Sequence, residues 1–144
     1  MEKKGEIGVG KVAVVYWSGT GNTQAMAEAV AQASGGALFT AAEFGPEKLA
    51  EYEAIAFGCP SMGTEELEDS EFLPMFEAVK DGLADKKVAL FGSYGWGDGE
   101  WMRNWEADCA AAGISLACDS VICQEAPDDE ALSALEALGK ALAA

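Results

Sequence analysis

Residues 11–23 read KVAVVYWSGTGNT, an apolar run followed at once by a short polar loop. The run 11–17 predicts a buried β-strand, and the helix-period apolar residues of 21–34 predict an α-helix directly after the loop. The loop consists of two glycines and four hydrogen-bonding residues, namely Ser18, Gly19, Thr20, Gly21, Asn22 and Thr23. Backbone N–H groups freed by glycine, side-chain hydroxyls and a helix N-terminus together attract an anion. The pattern therefore predicts a phosphate-binding loop.

This loop differs from two common nucleotide-binding motifs. It lacks the lysine of a GxxxxGK[ST] loop, and no Lys or Arg occurs in 12–47, which disfavours triphosphate chemistry with magnesium. It also lacks the glycine spacing of a dinucleotide fingerprint. A terminal phosphate monoester is the best remaining ligand, and an ordinary capped helix start is the alternative.

The rest of the chain continues the alternation of strand-length apolar runs with helix-period segments. Further strands are predicted at 37–40, 53–59, 87–92 and 114–123. Further helices are predicted at 46–51, after an N-cap at Ser70, at 99–112 and from Pro127 onward. In the last helix, the residues predicted to pack inward are Leu132, Leu135, Leu138 and Leu142. Such alternation predicts one α/β domain over 11–144 with a mainly parallel sheet. Residues 1–10 predict a flexible extension before it.

Two more unusual loops follow the predicted third and fourth strands. GCPSMGTE at 58–65 places Met62 beside Gly63 and the carboxylate of Glu65, and GSYGWGDG at 92–99 sets Trp96 among four glycines. An indole flanked by glycines is poorly buried by its neighbours, although a Trp folded back onto the core is the alternative. Ligands of doubly wound sheets bind beyond the carboxyl ends of the strands, so all three loops are expected to converge on one crevice.

The charge of the chain is strongly negative. With 25 acidic and nine basic side chains, the net charge of −16 argues against nucleic acid or an anionic membrane and favours basic protein partners. The five carboxylates of 65–71 are either part of a docking surface or a solvated acidic face. No apolar run is long enough to span a bilayer and no signal-peptide pattern occurs, which predicts a cytoplasmic protein.

The chain contains no histidine, and its four cysteines, Cys59, Cys109, Cys118 and Cys123, form no CxxC pair. Ser-His hydrolases and zinc or iron–sulfur sites are therefore disfavoured. We predict four buried thiols and no metal.

Four segments together resemble the flavodoxins, specifically the short-chain clostridial type. They are YWSGTGNT at 16–23, GCPSMG at 58–63, EELEDSEF at 65–72 and KKVALFGSYGWGDGEWM at 86–102. The resemblance runs from residue 11 to the C-terminus. It implies a flavodoxin-like three-layer sandwich with a five-stranded parallel sheet in the order 2-1-3-4-5. It further implies one non-covalent FMN and a low-potential carrier of single electrons, not an enzyme, which works as a monomer and docks transiently on basic faces of redox proteins.

The resemblance also implies roles for individual residues. The FMN phosphate would be held by Ser18, Thr20, Gly21, Asn22 and Thr23. The two faces of the flavin ring would be covered by Met62 and Trp96. The pyrimidine edge of the ring would meet the backbone of Gly95, Trp96 and Gly97, and its N3–H would donate to Glu65. The peptide after Gly63 would flip on one-electron reduction so that its carbonyl accepts from N5–H, which a residue without a Cβ permits. The full candidate set is Ser18, Gly19, Thr20, Gly21, Asn22, Thr23, Pro60, Ser61, Met62, Gly63, Thr64, Glu65, Ser93, Tyr94, Gly95, Trp96, Gly97, Asp98 and Gly99.

The sequence departs from the family at two positions and leaves a third open. Pro60 stands where some relatives have a serine, and Thr64 follows the flipping glycine where others have Asp or Ser. Gln124 or Glu125, just before the last helix, could reach the ring.

Two other functions stay open. An NAD(P)H-dependent flavin or quinone reductase could use the same fold, although the chain lacks a dinucleotide fingerprint. A flavin-free receiver module would need an acidic cluster after the first strand and a lysine after the fifth, and neither is present.

Overall fold

The computed structural model describes residues 11–63 and 65–144, so the predicted extension 1–10 and Thr64 lie outside the described residues. Its strands are β1 Val12–Tyr16, β2 Ala37–Thr40, β3 Ala54–Gly58, β4 Lys87–Tyr94 and β5 Val121–Gln124. All neighbouring strands pair in parallel, in the order β2-β1-β3-β4-β5, which confirms the predicted topology. Every residue of β1 and β3 is buried, because helices cover both faces of the sheet.

The helices are α1 Asn22–Ser34, α2 Pro46–Leu49, α3 Phe72–Val79, α4 Glu100–Ala111 and α5 Asp129–Ala143, with short 3-10 turns at Ala41–Glu43 and Lys80–Gly82. One face of the sheet packs on α3 and α4 through Phe72, Phe76 and Trp105. The other face packs on α1 and α5 through Val30 and Leu135. The result is a three-layer sandwich. No helix among the described residues combines the length and apolarity needed to cross a membrane.

The predicted fifth strand, 114–123, is wrong in its extent. Only Val121–Gln124 forms β5, and ahead of it Leu116 makes a single isolated bridge to Val88. Between the two pairings the chain bends at Ala117 and Cys118, and the Ser120 hydroxyl donates to the Glu106 carboxylate at 2.6 Å. The apolar residues on either side of Asp119 and Ser120 resembled one long strand.

The predicted N-cap of α3 at Ser70 is also wrong. The cap position is Glu71, whose own side chain does not cap. Instead the carboxylate of Glu68, which is only 5% exposed, accepts from the N–H groups of Ser70, Glu71 and Phe72. A carboxylate supplies more acceptor positions than a hydroxyl, and its negative charge is stabilised by the positive end of the helix dipole.

The other corrections concern burial and the start of α5. α5 begins at Asp129 and not at Pro127, and Asp128 caps it, because its Oδ1 accepts from Ala131 N at 2.8 Å. Leu132 is 39% exposed, and Ala131 takes the inward position beside the three buried leucines. Of the four cysteines, Cys59 and Cys109 are buried but Cys118 and Cys123 are only partly so.

Candidate cofactor site

A crevice of about 310 Å³ opens at the carboxyl ends of β1, β3 and β4. It lies where the strand order reverses between β1 and β3, and its volume is within the usual range for small-molecule sites. Its lining consists of Trp17, Ser18, Gly19, Thr20, Asn22, Thr23, Pro60, Ser61, Met62, Ser93, Tyr94, Gly95 and Glu125. All three predicted loops therefore meet here.

The loop after β1 is shaped by Ser18. The Ser18 Oγ accepts from the N–H groups of Gly21 at 3.0 Å and Gln24 at 3.2 Å, so this side chain closes the loop onto the first turn of α1. The N–H groups of Asn22 and Thr23, the first two residues of α1, have no intrahelical acceptor and no other acceptor within residues 11–63 and 65–144. The loop thus leaves two neutral N–H donors without an acceptor at the start of α1.

Thr23 is the most informative residue of this loop. It is only 1% exposed, yet its Oγ1 has no hydrogen-bond partner among the described residues. Buried hydroxyls are rarely left unpaired, because the lost hydration is unfavourable. A hydroxyl in this state at the end of a crevice indicates an acceptor supplied from outside the chain.

Trp17 also lines the crevice, although it is not among the residues predicted for the site. Its Nε1 donates to the Glu71 carboxylate at 3.1 Å, and its ring packs so closely on the loop that a Cβ at Gly19 would lie 3.1 Å from it. The side chain therefore ties the loop after β1 to the start of α3. An indole at the end of an apolar strand is easily interpreted as part of the hydrophobic core. Only its position next to the loop could have indicated that Trp17 lines the crevice.

The loop after β3 is anchored to β4 and then forms a hairpin. Ser61 N donates to Ser93 O at 3.0 Å, and Met62 and Glu66 exchange two backbone hydrogen bonds of 2.8 Å each. Within this hairpin Gly63 has φ +51° and Glu65 has φ +60°. A left-handed backbone is strained for a residue with a side chain, so Glu65 must be held by its contacts.

The contact that holds Glu65 is the start of α4. Its Oε1 accepts from Glu100 N at 2.9 Å, and a Cβ at Gly97 would come within 2.6 Å of its carboxyl group. The carboxylate therefore caps α4, where the helix dipole favours it. It also joins the loop after β3 to the loop after β4.

The end of β4 and the start of the loop after it are tied to the end of β5 and the residue after it. The buried Ser93 donates its hydroxyl to Glu125 O at 2.7 Å, and Gln124 Nε2 donates to Gly95 O at 3.2 Å. Glu125 has φ +60° and lines the crevice, so the structure places Glu125 at the site and gives Gln124 a supporting contact. Trp96 is 62% exposed and not folded onto the core.

Comparison with known proteins identifies the family. The family model described as flavodoxin matches residues 14–138. The flavodoxin of Clostridium beijerinckii is 42% identical over 135 residues, which cover 90% of this chain and 97% of that protein. The flavodoxin of Megasphaera elsdenii is 43% identical over 123 residues, which cover 82% and 89%.

The chain belongs to the flavodoxin family. The solution structure of two-electron reduced Megasphaera elsdenii flavodoxin superposes on it with a TM-score of 0.84 and 40% identity, over 92% of this chain and 98% of that one. Flavodoxins bind FMN and are electron carriers, not enzymes, so the predicted family, cofactor and class of function are confirmed. Nothing in these comparisons favours a reductase.

The crevice fits the cofactor of a flavodoxin. The unpaired Thr23 hydroxyl and the free N–H groups beside it suit a phosphate, and the chain offers an exposed indole at Trp96. The predicted residues that line the crevice are Ser18, Gly19, Thr20, Asn22, Thr23, Pro60, Ser61, Met62, Ser93, Tyr94 and Gly95. Gly21, Gly63, Glu65, Trp96, Gly97, Asp98 and Gly99 belong to the same loops but lie outside that lining. Asp98 pairs with Arg103 at 3.0 Å.

Proposed function

We propose that this electron carrier holds the phosphate of FMN at residues 18–23 and its ring between the hairpin of Met62 and the loop of Trp96. Support comes above all from Thr23, since a phosphate oxygen would give its buried hydroxyl the acceptor that the described residues do not provide. Ser18 keeps the loop in shape, and the N–H groups of Asn22 and Thr23 complete the donor set. Bound FMN supplies reversible electron uptake, and the chain supplies binding and orientation.

The ring is assigned to the apolar side chains of the other two loops. Met62 lines the crevice and covers one face, while Trp96 covers the other, which would bury an indole that is 62% exposed. Glu65, whose Oε1 accepts from Glu100 N, has a second carboxylate oxygen with which it accepts from the polar edge of the ring. Gly63 has the conformational freedom for its peptide to turn toward the ring. The remaining members of the candidate set stay predictions.

The surroundings of the crevice favour a low potential for the second electron. Among the described residues that line the crevice there is no Lys or Arg, and the carboxylate of Glu125 lies in the lining. An environment without cations and with a nearby negative charge disfavours further negative charge on a ligand. Potentiometric titration of the loaded protein is expected to give two separate one-electron steps, the second at lower potential. A single two-electron step would contradict this proposal.

The charge and the thiols support the proposed partners and compartment. A net charge of −16 supports transient docking on basic faces of redox proteins, and four free cysteines support a reducing compartment, the cytoplasm. We assign the working state to a monomer, which sedimentation of the loaded protein tests directly.

The assignment of the phosphate site is tested with Thr23→Val, which removes the hydroxyl and keeps the shape. A lost hydrogen bond to a charged group weakens binding by about 1.5–3 kcal/mol, so the Kd for FMN is expected to rise roughly 10- to 150-fold. Riboflavin, which lacks the phosphate, is the matched control ligand, and its Kd should change little. Equal losses for both ligands would place the hydroxyl away from the phosphate.

A further inference from the structure

The indole of Trp17 connects two sides of the crevice that are far apart in the chain. The backbone N–H of Trp17 donates to Gly58 O at 3.0 Å, which fixes its backbone where β1 and β3 end. Its indole ring packs on Gly19 of the loop 18–23, here called the phosphate loop. Its Nε1 donates to the carboxylate of Glu71, 54 residues further along the chain, at 3.1 Å. Trp17 therefore contacts the phosphate loop and the start of α3 at the same time.

Glu71 lies outside the crevice and has no other evident task. It does not belong to the crevice lining, and its side chain does not cap α3 although it occupies the cap position. Within residues 11–63 and 65–144, the one hydrogen bond that its carboxylate accepts comes from Trp17. A hydrogen bond to a charged acceptor is stronger than one between neutral groups. The main contact of this carboxylate is thus with a side chain that lines the crevice.

The hairpin that carries Met62 returns to the fold through the segment that ends at Glu71. Two backbone hydrogen bonds between Met62 and Glu66 close the hairpin, and the carboxylate of Glu68 accepts from the N–H of Glu71 at 2.8 Å. The hairpin also contains the left-handed backbone of Glu65, which has to be held by its contacts. A hydrogen bond that fixes Glu71 therefore limits the positions that the hairpin can take.

The phosphate loop and the hairpin have few direct connections. In the described part of the chain, no other hydrogen bond joins residues 17–23 to residues 60–71. A ligand that is held at both ends needs the two loops at a fixed separation, and hydrogen bonds outside a site commonly provide such support. The contact between Trp17 and Glu71 is placed to do this.

We propose that the Trp17–Glu71 hydrogen bond positions the hairpin of Met62 relative to the phosphate loop and so raises the affinity for the flavin ring. Glu71 is a positioning residue that acts through Trp17. The inference rests on the proposed FMN site and goes beyond it, because it gives a role to a residue outside the crevice. Since the contact lies within the chain itself, it acts on a flavin with or without a phosphate.

A double-mutant cycle on the FMN-free full chain tests this contact with riboflavin, a neutral ligand that reports binding of the ring. Glu71→Ala removes the acceptor, and Trp17→Phe removes the N–H but keeps an aromatic ring. We expect Glu71→Ala alone to raise the Kd for riboflavin roughly three- to tenfold, as the loss of one hydrogen bond predicts. In the Trp17→Phe background the same substitution should change the Kd by less than about twofold, because the two groups share one contact.

Two further variants separate the hydrogen bond from charge and from general damage to the fold. Glu71→Gln keeps an oxygen acceptor without the charge and should recover most of the riboflavin affinity. Asp69→Ala removes an exposed carboxylate of the same segment and should leave the Kd unchanged. In ¹⁵N NMR, the Trp17 indole N–H resonance should shift with Glu71→Ala and stay in place with Asp69→Ala.

The outcomes distinguish this inference from the proposed site. Equal effects of Glu71→Ala in both backgrounds, or no effect in either, would overturn the role of the contact. A parent chain that binds FMN but not riboflavin would also overturn it, because the ring site would then depend on the phosphate alone. A parent chain that binds neither ligand would instead overturn the proposed FMN site.

Discussion

Single residues determine the local structure around the site, and Glu68 is the clearest case. Its carboxylate accepts from the Ser70 hydroxyl and from three backbone N–H groups, and its own N–H donates to the thiol of Cys59 at 3.3 Å. Burial alone raises the pKa of Glu68, but these hydrogen bonds outweigh burial, so its pKa lies below the ordinary value. The ionised carboxylate thereby fixes the acidic segment between β3 and α3.

We expect Glu68→Gln to lower the free energy of unfolding by about 1–3 kcal/mol at pH 7, since an amide oxygen replaces a charged acceptor of several hydrogen bonds. A carboxyl with a lowered folded-state pKa stabilises above its unfolded pKa, about 4.3, and this contribution is lost as the pH falls through the folded pKa. The difference between variant and parent should therefore shrink below about pH 4. Urea unfolding at pH 7 and at pH 3.5 measures it. Glu66→Gln, an exposed neighbour, is the control, and an equal effect there would contradict the role of Glu68.

At this scale the sequence predicted which loops form the site but not all the contacts within them. The phosphate loop is predictable because its donors are consecutive in the chain. Trp17, Glu68 and the capping role of Glu65 are not, because each depends on a partner far along the chain or on a backbone turn that composition does not encode. Glu125 was one of two open positions, and only the structure shows that it lines the crevice and that Gln124 does not.

At the scale of elements, α1 and α5 pack with almost no space at Gly139. A Cβ there would lie 2.9 Å from the carbonyl oxygen of Val30 and 3.0 Å from the Cβ of Ala33. Backbone cannot yield as a side-chain tip can, so a larger residue must displace α1. Because α1 begins at the phosphate loop, its position also sets the position of Thr23.

Gly139→Ala tests this contact, since alanine favours a helix over glycine by about 1 kcal/mol while the close approach opposes it. We expect overpacking to dominate and the free energy of unfolding to fall by about 1–2 kcal/mol. Chemical denaturation measures it, with Ser133→Ala on the exposed face of α5 as the control. A more stable Gly139→Ala variant would mean that the helices separate easily.

Most strands and helices were predictable from the sequence, because the apolar residues that suggested them form the buried faces of those elements in the structure. The bounds of β2 agree with the sequence in full, since Gly35 and Gly36 precede it and a turn follows it. The prediction of a strand over 114–123 failed because local apolarity does not indicate whether a segment at the edge of the sheet pairs along its whole length. Pairing is a property of the sheet, and β4 pairs with β5 only through Phe91–Tyr94 and Val121–Gln124.

For the whole molecule, the dominant feature is its charge. A net charge of −16 on 144 residues opposes compaction through self-repulsion and attracts basic surfaces at a distance. Both effects act through solvent and decrease with ionic strength, because the screening length falls from about 10 Å at 0.1 M salt to about 3 Å at 1 M.

Added salt should therefore have two opposite effects. From 0.02 to 0.5 M NaCl, electron transfer to a basic cytochrome is expected to slow by an order of magnitude or more, while urea unfolding of the FMN-free chain shifts to higher denaturant concentration. Stopped-flow rates and unfolding midpoints measure the two effects. Rates that rise steadily with salt would contradict electrostatic docking, and a midpoint that falls would contradict self-repulsion.

The closing of the phosphate loop by Ser18 has a kinetic consequence. Since its Oγ already receives the N–H groups of Gly21 and Gln24, the loop is preorganised, and capture of the cofactor loses little backbone entropy. The rate of association then depends mainly on diffusion of the negatively charged FMN toward the negatively charged protein. The speed of loading in a cell would thus follow the ambient ionic strength more closely than any folding event.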